Sequence, residues 1–486
     1  MKLLFSRLAL VLAIVASAGL AGAQGQSLPD MGGTSTRIMS PEEERRFPQD
    51  FQRYLQATNM LVTDPIIADF FSDMGYRLVA HSARPRSQFH FFVLREESIN
   101  AFAAPAGVIG LHTGLLLMAH DESEVAGVVA HEIAHVTQDH IARAIETAQQ
   151  LSLPTMIATL GLALAASAAG AGGDASGALL MSGMGLAQQF QINHTRQSEL
   201  EADRIGIALL ADAGYDPEGM ARFFERLNLY SRAMGQGPPE YLRTHPLTVN
   251  RIAEARSRAD SLRMREERDG EYFHYVQSRL RAQALDRRRA EEFFRARLAD
   301  GSRPEGAMRY GLALTLIRDQ RLEQARQEID WLLQRHDQRQ LYRLLEADWL
   351  LASDRTEESI ELLESLHNEF SGSRAVTTQY ATALMHENDR ERAARAAELL
   401  RRYLREHPQD LRMTELLARA ADRAGNSVRA AEALAESYYM RGGVSEAIVQ
   451  LERISENDDL DFYQRARINA RLNELRTEQL RMMRRH

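Results

Sequence analysis

The chain has 486 residues, 44% of them hydrophobic and 26% charged, which supplies apolar material for two or more cores and excludes disorder along its whole length. A formal net charge of −8, from 59 basic and 67 acidic side chains, is too mildly acidic to mark a nucleic-acid binder or a polybasic membrane surface. There is no cysteine and Lys2 is the only lysine, which excludes thiol nucleophiles, thiolate zinc sites, disulfides, Schiff-base lysines and lysine-bearing phosphate loops, and leaves hydrolysis by activated water.

Lys2 and Arg7 precede an apolar run from Leu8 to Leu20, and Ala21-Gly22-Ala23 follows as an A-x-A-type cleavage site, so residues 1–23 read as a secretory signal peptide. The run is shorter than the roughly 20 residues that span a bilayer, which favours cleavage over anchoring. No cysteine follows it to carry a lipid. The expected compartment is the periplasm, with peripheral membrane contact left open.

Residues 24–39 are rich in Gly, Ser, Thr and Gln without periodicity, the composition of a flexible lead-in. Ser40-Pro41-Glu42-Glu43 then supplies an N-cap, a proline at the first helical position and acidic first-turn residues, and Asp64-Pro65 repeats the start signal for a second helix. Phe89–Leu94, Ile99–Ala103 and Val108–Leu111 predict short strands of a small sheet. From Asp121 to about Thr147 the apolar set Val125, Val128, Val129, Ile133, Val136 and Ile141 has helical period and predicts one long, largely buried helix.

The texture changes over 151–190 to Ala, Gly, Leu, Met and Ser with Asp174 as the lone charge, broken by a Gly-rich centre. This predicts a flap, either simply mobile or a lid that covers the active site or touches a membrane. A helix follows from about Arg196 to Asp212, stops at Gly214, and Pro217 begins the next. The first domain is expected to span residues 40–265. Over 266–486 small residues recur: Ala313, Ala347 and Ala381 lie 34 apart, with Ala325, Ser359 and Ala393 each 12 further on. That is the tetratricopeptide period of paired helices. The same pairing continues at Ala418 and Ala430 after a step of 37, three residues longer. The predicted fold is mainly α: an α+β domain with a small sheet, then an all-α repeat solenoid.

The chemistry centres on His131-Glu132-Ile133-Ala134-His135, an H-E-x-x-H pattern inside the predicted long helix. Residues four apart on a helix share a face with Cβ atoms about 5–6 Å apart, so both imidazoles can reach one cation while Glu132 meets its bound water. Buried polar groups of this kind need a partner to offset desolvation, and a zinc ion, one per chain, supplies it. The metzincin continuation is absent, because Gln138 and Ile141 stand where Gly and His would be. The third ligand is expected from Arg196-Gln-Ser-Glu199-Leu-Glu201-Ala-Asp203. There Glu199 and Asp203 share a helix face and Glu201 lies about 160° away. Glu199 is placed to ligate, and Asp203 to accept the second N–H of a ligating imidazole. Arg196 is a candidate for steadying the site. His112, His120, His140 and His194 read as incidental.

These residues resemble the gluzincin metallopeptidase family that contains HtpX and the CAAX prenyl proteases, whose H-E-x-x-H and R-x-x-E-x-x-A-D motifs match His131–His135 and Arg196–Asp203. Asn100-Ala101-Phe102-Ala103, with Gly107 and Gly114-Leu115-Leu116, resembles the family's strand and turn ahead of the catalytic helix. The resemblance implies an endopeptidase in which that strand borders the substrate cleft, the first glutamate of the acidic segment is the metal ligand, and Glu132 is the catalytic base. The signal peptide and repeats together resemble periplasmic members of the family. For those the implied role is quality control of outer-membrane proteins: degrading stalled or unfolded barrels, with chaperone-like help, beside the barrel-assembly machinery that the repeats would engage. Thr244-His245-Pro246 resembles a segment whose histidine occupies the metal's open position and holds the enzyme latent. By spacing alone His245 is a loop histidine before a proline. The alternative function is a repeat scaffold or chaperone with latent or minor proteolysis.

Overall fold

The computed structural model describes residues 39–143, 196–234, 238–262, 270–335 and 339–484. The expected signal peptide, the lead-in before residue 39, the 151–190 flap and His194 lie outside them.

Helix α1 (Pro41–Ala57) starts at a capping box: Ser40 Oγ accepts from the Glu43 amide and the Glu43 carboxylate accepts from the Ser40 amide. Helix α2 (Pro65–Ala80) is capped by Asp64, which accepts from the Ile66 and Ile67 amides. Strands β1 (His90–Leu94), β2 (Ala101–Ala104) and β3 (Val108–His112) form a sheet in the order β1-β3-β2, with β1 parallel and β2 antiparallel to β3. The central strand β3 is buried throughout and β2 lies at an edge. A short helix α3 (Thr113–Met118) leads into α4 (Glu122–Thr137), which Asp121 caps and which is buried on nearly every face. A helix so enclosed sits in the middle of a core.

Helices α5 (Arg196–Asp212) and α6 (Glu218–Met234) pack on α4 at two glycines. A Cβ on Gly127 would stand 2.9 Å from Met220 Cα, and one on Gly206 would stand 3.1 Å from the His131 amide nitrogen, so a side chain at either position would force the neighbouring helix to shift. The short helix α7 (Glu240–Thr244) and α8 (Val249–Asp260) close this part of the molecule, and α9 (Glu271–Ala284) joins it to the repeats. Gln277 donates to the carbonyls of Leu116 and Ala119, and Arg281 to that of Leu117, so α9 satisfies the open C-terminal end of α3. Arg279 donates to both Asp64 (2.7 Å) and Tyr310 (2.9 Å), which makes the cap of α2 also an anchor for the repeats.

Beyond α9 the chain is helical. The pairs Glu305–Arg318 with Leu322–Leu333, Arg339–Ala352 with Thr356–Glu369, Arg374–Leu384 with Arg390–Glu406, and Leu411–Arg423 with Ser427–Met440 carry the predicted period. Ala313, Ala347 and Ala381 are fully buried, as are Ala325 and Ser359, and Ser359 Oγ donates to the Ala347 carbonyl at 3.0 Å across the pair. The helix Arg390–Glu406 has 17 residues and absorbs the longer step. In the following pair Ala418 and Ala430 are only half-buried, and Ala420 and Ala431 are the small residues inside. The last helix, Phe462–Arg484, returns to the start of the fold: Glu478 meets Arg53 of α1 at 3.5 Å and accepts from Tyr439, over whose ring Arg53 lies.

The helix expected to run from Asp121 to about Thr147 ends at Thr137, and Asp139 adopts a left-handed conformation (φ 53°) before residues 140–143 resume helical geometry. Arg84 holds this break through a two-pronged contact to the Asp139 carboxylate at 3.0 and 2.6 Å.

Candidate metal centre

Helix α4 presents His131 and His135 on one face, one turn apart, and both are fully buried. Helix α5 crosses at Gly206 and brings Glu199 opposite them, while His245 comes from the end of α7. Their facing atoms form a compact set. His135 Nε2 lies 3.0 Å from His131 Nε2, which lies 3.3 Å from His245 Nδ1, and His245 Nδ1 lies 3.1 Å from Glu199 Oε1. The Glu199 oxygens are 3.5 Å from His131 Nε2 and from His135 Nε2. Zinc bound tetrahedrally at about 2.0–2.1 Å needs ligand atoms about 3.3 Å from one another, so this donor set fits such an ion in number, type and spacing. Among the described residues it is the one group of three or more His, Asp or Glu side chains that converges in this way.

The surrounding charges ask for a cation. Three buried carboxyl groups, Glu132, Glu199 and Asp203, face one buried guanidinium, Arg251, which leaves two negative charges uncompensated if all three ionise and the histidines are neutral. Burial alone would push His131 down, yet its contacts with Asp203 and Glu199 outweigh that and raise it to about 9. Burial would raise Glu199, but the neighbouring His245 and His131 bring it well below the usual carboxylate range. Without a metal, a proton on His131 is what these carboxylates hold.

Glu132 projects from α4 into the same pocket, with Oε1 3.4 Å from His245 Nε2. Burial pushes its carboxyl above the ordinary value, opposed by His245, by His131 and by the approach of the Ala103 backbone, and neither of its oxygens has a hydrogen-bond partner among the described residues. The approach of Ala103 places the edge strand β2 beside Glu132. Of the predicted substrate segment, Ala101, Phe102 and Ala103 lie in β2 and buried Asn100 just before it. The Tyr241 amide of α7 donates to the Ile99 carbonyl, two residues ahead of the strand. A cavity of about 440 Å³ opens on the other side of His135, lined by residues such as Pro41, His90, Ala104 and Ala142.

Asp203 Oδ1 lies 3.0 Å from His131 Nδ1. Arg196 does not join it. That residue is exposed on the first turn of α5, and the arginine at the site is Arg251 of α8. Arg251 grips both Asp203 oxygens (2.7 and 2.8 Å), reaches Glu199 at 2.9 Å and donates to the Pro246 carbonyl at 2.8 Å. The available signal was indirect: two acids on one buried helix face require a cation, but nothing in the sequence says which arginine. His112 is buried against Ser98 Oγ (2.7 Å) and His120 is exposed. His140, read as incidental, is instead buried against His135, and Glu201 meets its far side.

Comparison with known proteins agrees with this geometry. The model of Peptidase family M48 matches residues 71–259, a span that includes every residue of the site. The chain is 32% identical over 452 residues to the beta-barrel assembly-enhancing protease of Escherichia coli K12, covering 93% of this chain and 91% of that protein. It is also 32% identical over 491 residues to the putative beta-barrel assembly-enhancing protease of Vibrio cholerae, covering 99% of each. The mitochondrial metalloendopeptidase OMA1 of Schizosaccharomyces pombe is 28% identical over 217 residues, 44% of this chain and 60% of that protein.

Proposed function

Because this chain belongs to peptidase family M48, we propose that it is a periplasmic zinc endopeptidase of outer-membrane protein assembly, cutting misassembled or stalled β-barrel chains. The observation that carries the reading is the buried His131, His135, Glu199 and His245 donor set with Glu132 against it. His131, His135 and Glu199 would hold one zinc ion per chain. Zinc there supplies a Lewis acid for the scissile carbonyl and brings the pKa of the attacking water toward neutrality.

The chain's own residues do the rest. Glu132 takes the proton of the attacking water and delivers it to the leaving amine, so water adds across the peptide C–N bond with no net proton exchange. Asp203 fixes the tautomer of His131, and Arg251 keeps Asp203 and Glu199 ionised and oriented. The edge of β2 accepts the substrate backbone as an added strand, with residues 100–103 alongside the scissile bond. His245 keeps the site latent, since its two ring nitrogens face the metal ligands and the base. Residues 40–265 form the peptidase unit and 266–486 a tetratricopeptide-like array that meets client chains and the barrel-assembly machinery. No described helix is long and apolar enough to cross a membrane.

The His245 contacts also favour a second reading, a scaffold or chaperone whose proteolysis is minor. Both are tested by measuring zinc content and caseinolytic activity of the purified protein beside Glu132→Gln and His245→Ala. The peptidase reading expects about one zinc per chain, activity lost in the first variant and raised several-fold in the second. Zinc-free wild type sinks it. An outer-membrane assembly defect fully rescued by Glu132→Gln moves the function to the scaffold.

A further inference from the structure

His135 is held on the side away from the metal ligands. Its Nδ1 lies 2.9 Å from Nδ1 of His140, and His140 Nε2 lies 3.1 Å from Glu201 Oε2. The two rings meet edge to face, centroids 4.8 Å apart. On an unbroken helix a residue five positions on would point about 140° away, so this contact exists because the chain turns back at Asp139. His140 is almost completely buried, whereas the Glu201 side chain is 40% exposed.

The hydrogen bonds in this chain can run in one direction only if both rings are neutral. Glu201 as a carboxylate accepts and cannot donate, so His140 Nε2 carries its ring's proton. His140 Nδ1 is then a lone pair, which must accept from His135 Nδ1–H. That leaves the lone pair of His135 on Nε2, the atom that faces His131 and Glu199. The opposite order would put a proton on His135 Nε2 and set a His140 lone pair against the Glu201 carboxylate.

We propose that Glu201 and His140 are positioning residues for the metal: through two hydrogen bonds they fix the tautomer and ring orientation in which His135 binds zinc. The site is then supported twice, Asp203 serving His131 directly and Glu201 serving His135 through His140. The helix face opposite Glu199 acquires a function that its direction on α5 conceals. The proposal rests on the reading of His135 as a ligand, and its test separates the two.

The experiment measures metal affinity of the purified protein by competition with a chelator, and the visible spectrum of the cobalt-substituted form, for wild type, His140→Phe, His140→Asn and Glu201→Ala. His140→Phe keeps a ring but no acceptor, and is expected to weaken metal binding about 10- to 100-fold and to alter the cobalt bands. His140→Asn, whose amide oxygen can accept from His135, is expected to recover most of the affinity. Glu201→Ala is expected to lose several-fold. Melting of the metal-free proteins checks the fold, and if His140→Phe fails to fold, the partly exposed Glu201→Ala carries the test. Wild type without metal overturns the ligand reading and the proposal together. Metal-loaded wild type with unchanged affinity and spectrum in the variants overturns the proposal alone.

Discussion

His131 shows what the buried residues of the site demand before any metal arrives. Its folded value of about 9 stands above the ordinary 6.5, so in the metal-free protein the proton it gains is a source of stability. This contribution is complete below about pH 6.5 and is lost as pH rises through about 9. Melting temperatures of chelator-treated protein should therefore fall across that window, and a flat profile would contradict the raised value. Zinc binding displaces the same proton, so apparent zinc affinity should climb over the same range. At this scale the sequence was legible where a motif fixes both type and spacing. The structure brings His131, Glu132, His135, Glu199 and Asp203 to one buried place. Arg251 and His140 were not legible, because one comes from a helix whose approach depends on tertiary packing and the other from a break in the backbone.

That break belongs to the scale of elements. Capped helices such as α1 and α2 were readable from Ser40 and Asp64, whose side chains state their role locally. Asp139 carries no such sign, since neither Gly nor Pro marks the end of α4. What stabilises the turn is Arg84, 55 residues earlier in the chain. The left-handed backbone at Asp139 gives a sharp expectation. Asp139→Gly should be tolerated within about 1 kcal/mol, since glycine recovers in backbone freedom much of what the lost ion pair gives up. Asp139→Val should cost about 1–2 kcal/mol more in denaturant titration, because a β-branched side chain clashes there. Equal stabilities for the two would mean that the turn is not held in that conformation in solution.

For the whole molecule, the helical period announced the repeat array, but not its return to the first helix. Arg53 and Glu478 are 425 residues apart, and no local pattern connects them. Deeper ties hold the two parts as well, with Arg279 on Asp64 and Arg374 shared between Asp69 and Asp410. The outer contact is the longest of these, at 3.5 Å. Arg53→Ala should leave overall stability within about 1 kcal/mol of wild type. It should nonetheless speed amide hydrogen exchange in residues 462–484, as a terminal helix released from its partner frays. Unchanged exchange there would mean that the Tyr439–Glu478 contact and helix packing hold the last helix without Arg53.

The contact of His245 with the metal ligands has a thermodynamic corollary. If this histidine is a fourth donor, closing the segment and retaining the ion are linked, and each must strengthen the other by the same factor. The latent form is then the one that keeps its zinc, and the working form, with three protein donors, is the one from which a competing chelator can take it. Activity and metal retention would then draw on the same interaction, so surroundings poor in zinc would favour molecules that spend most of their time closed.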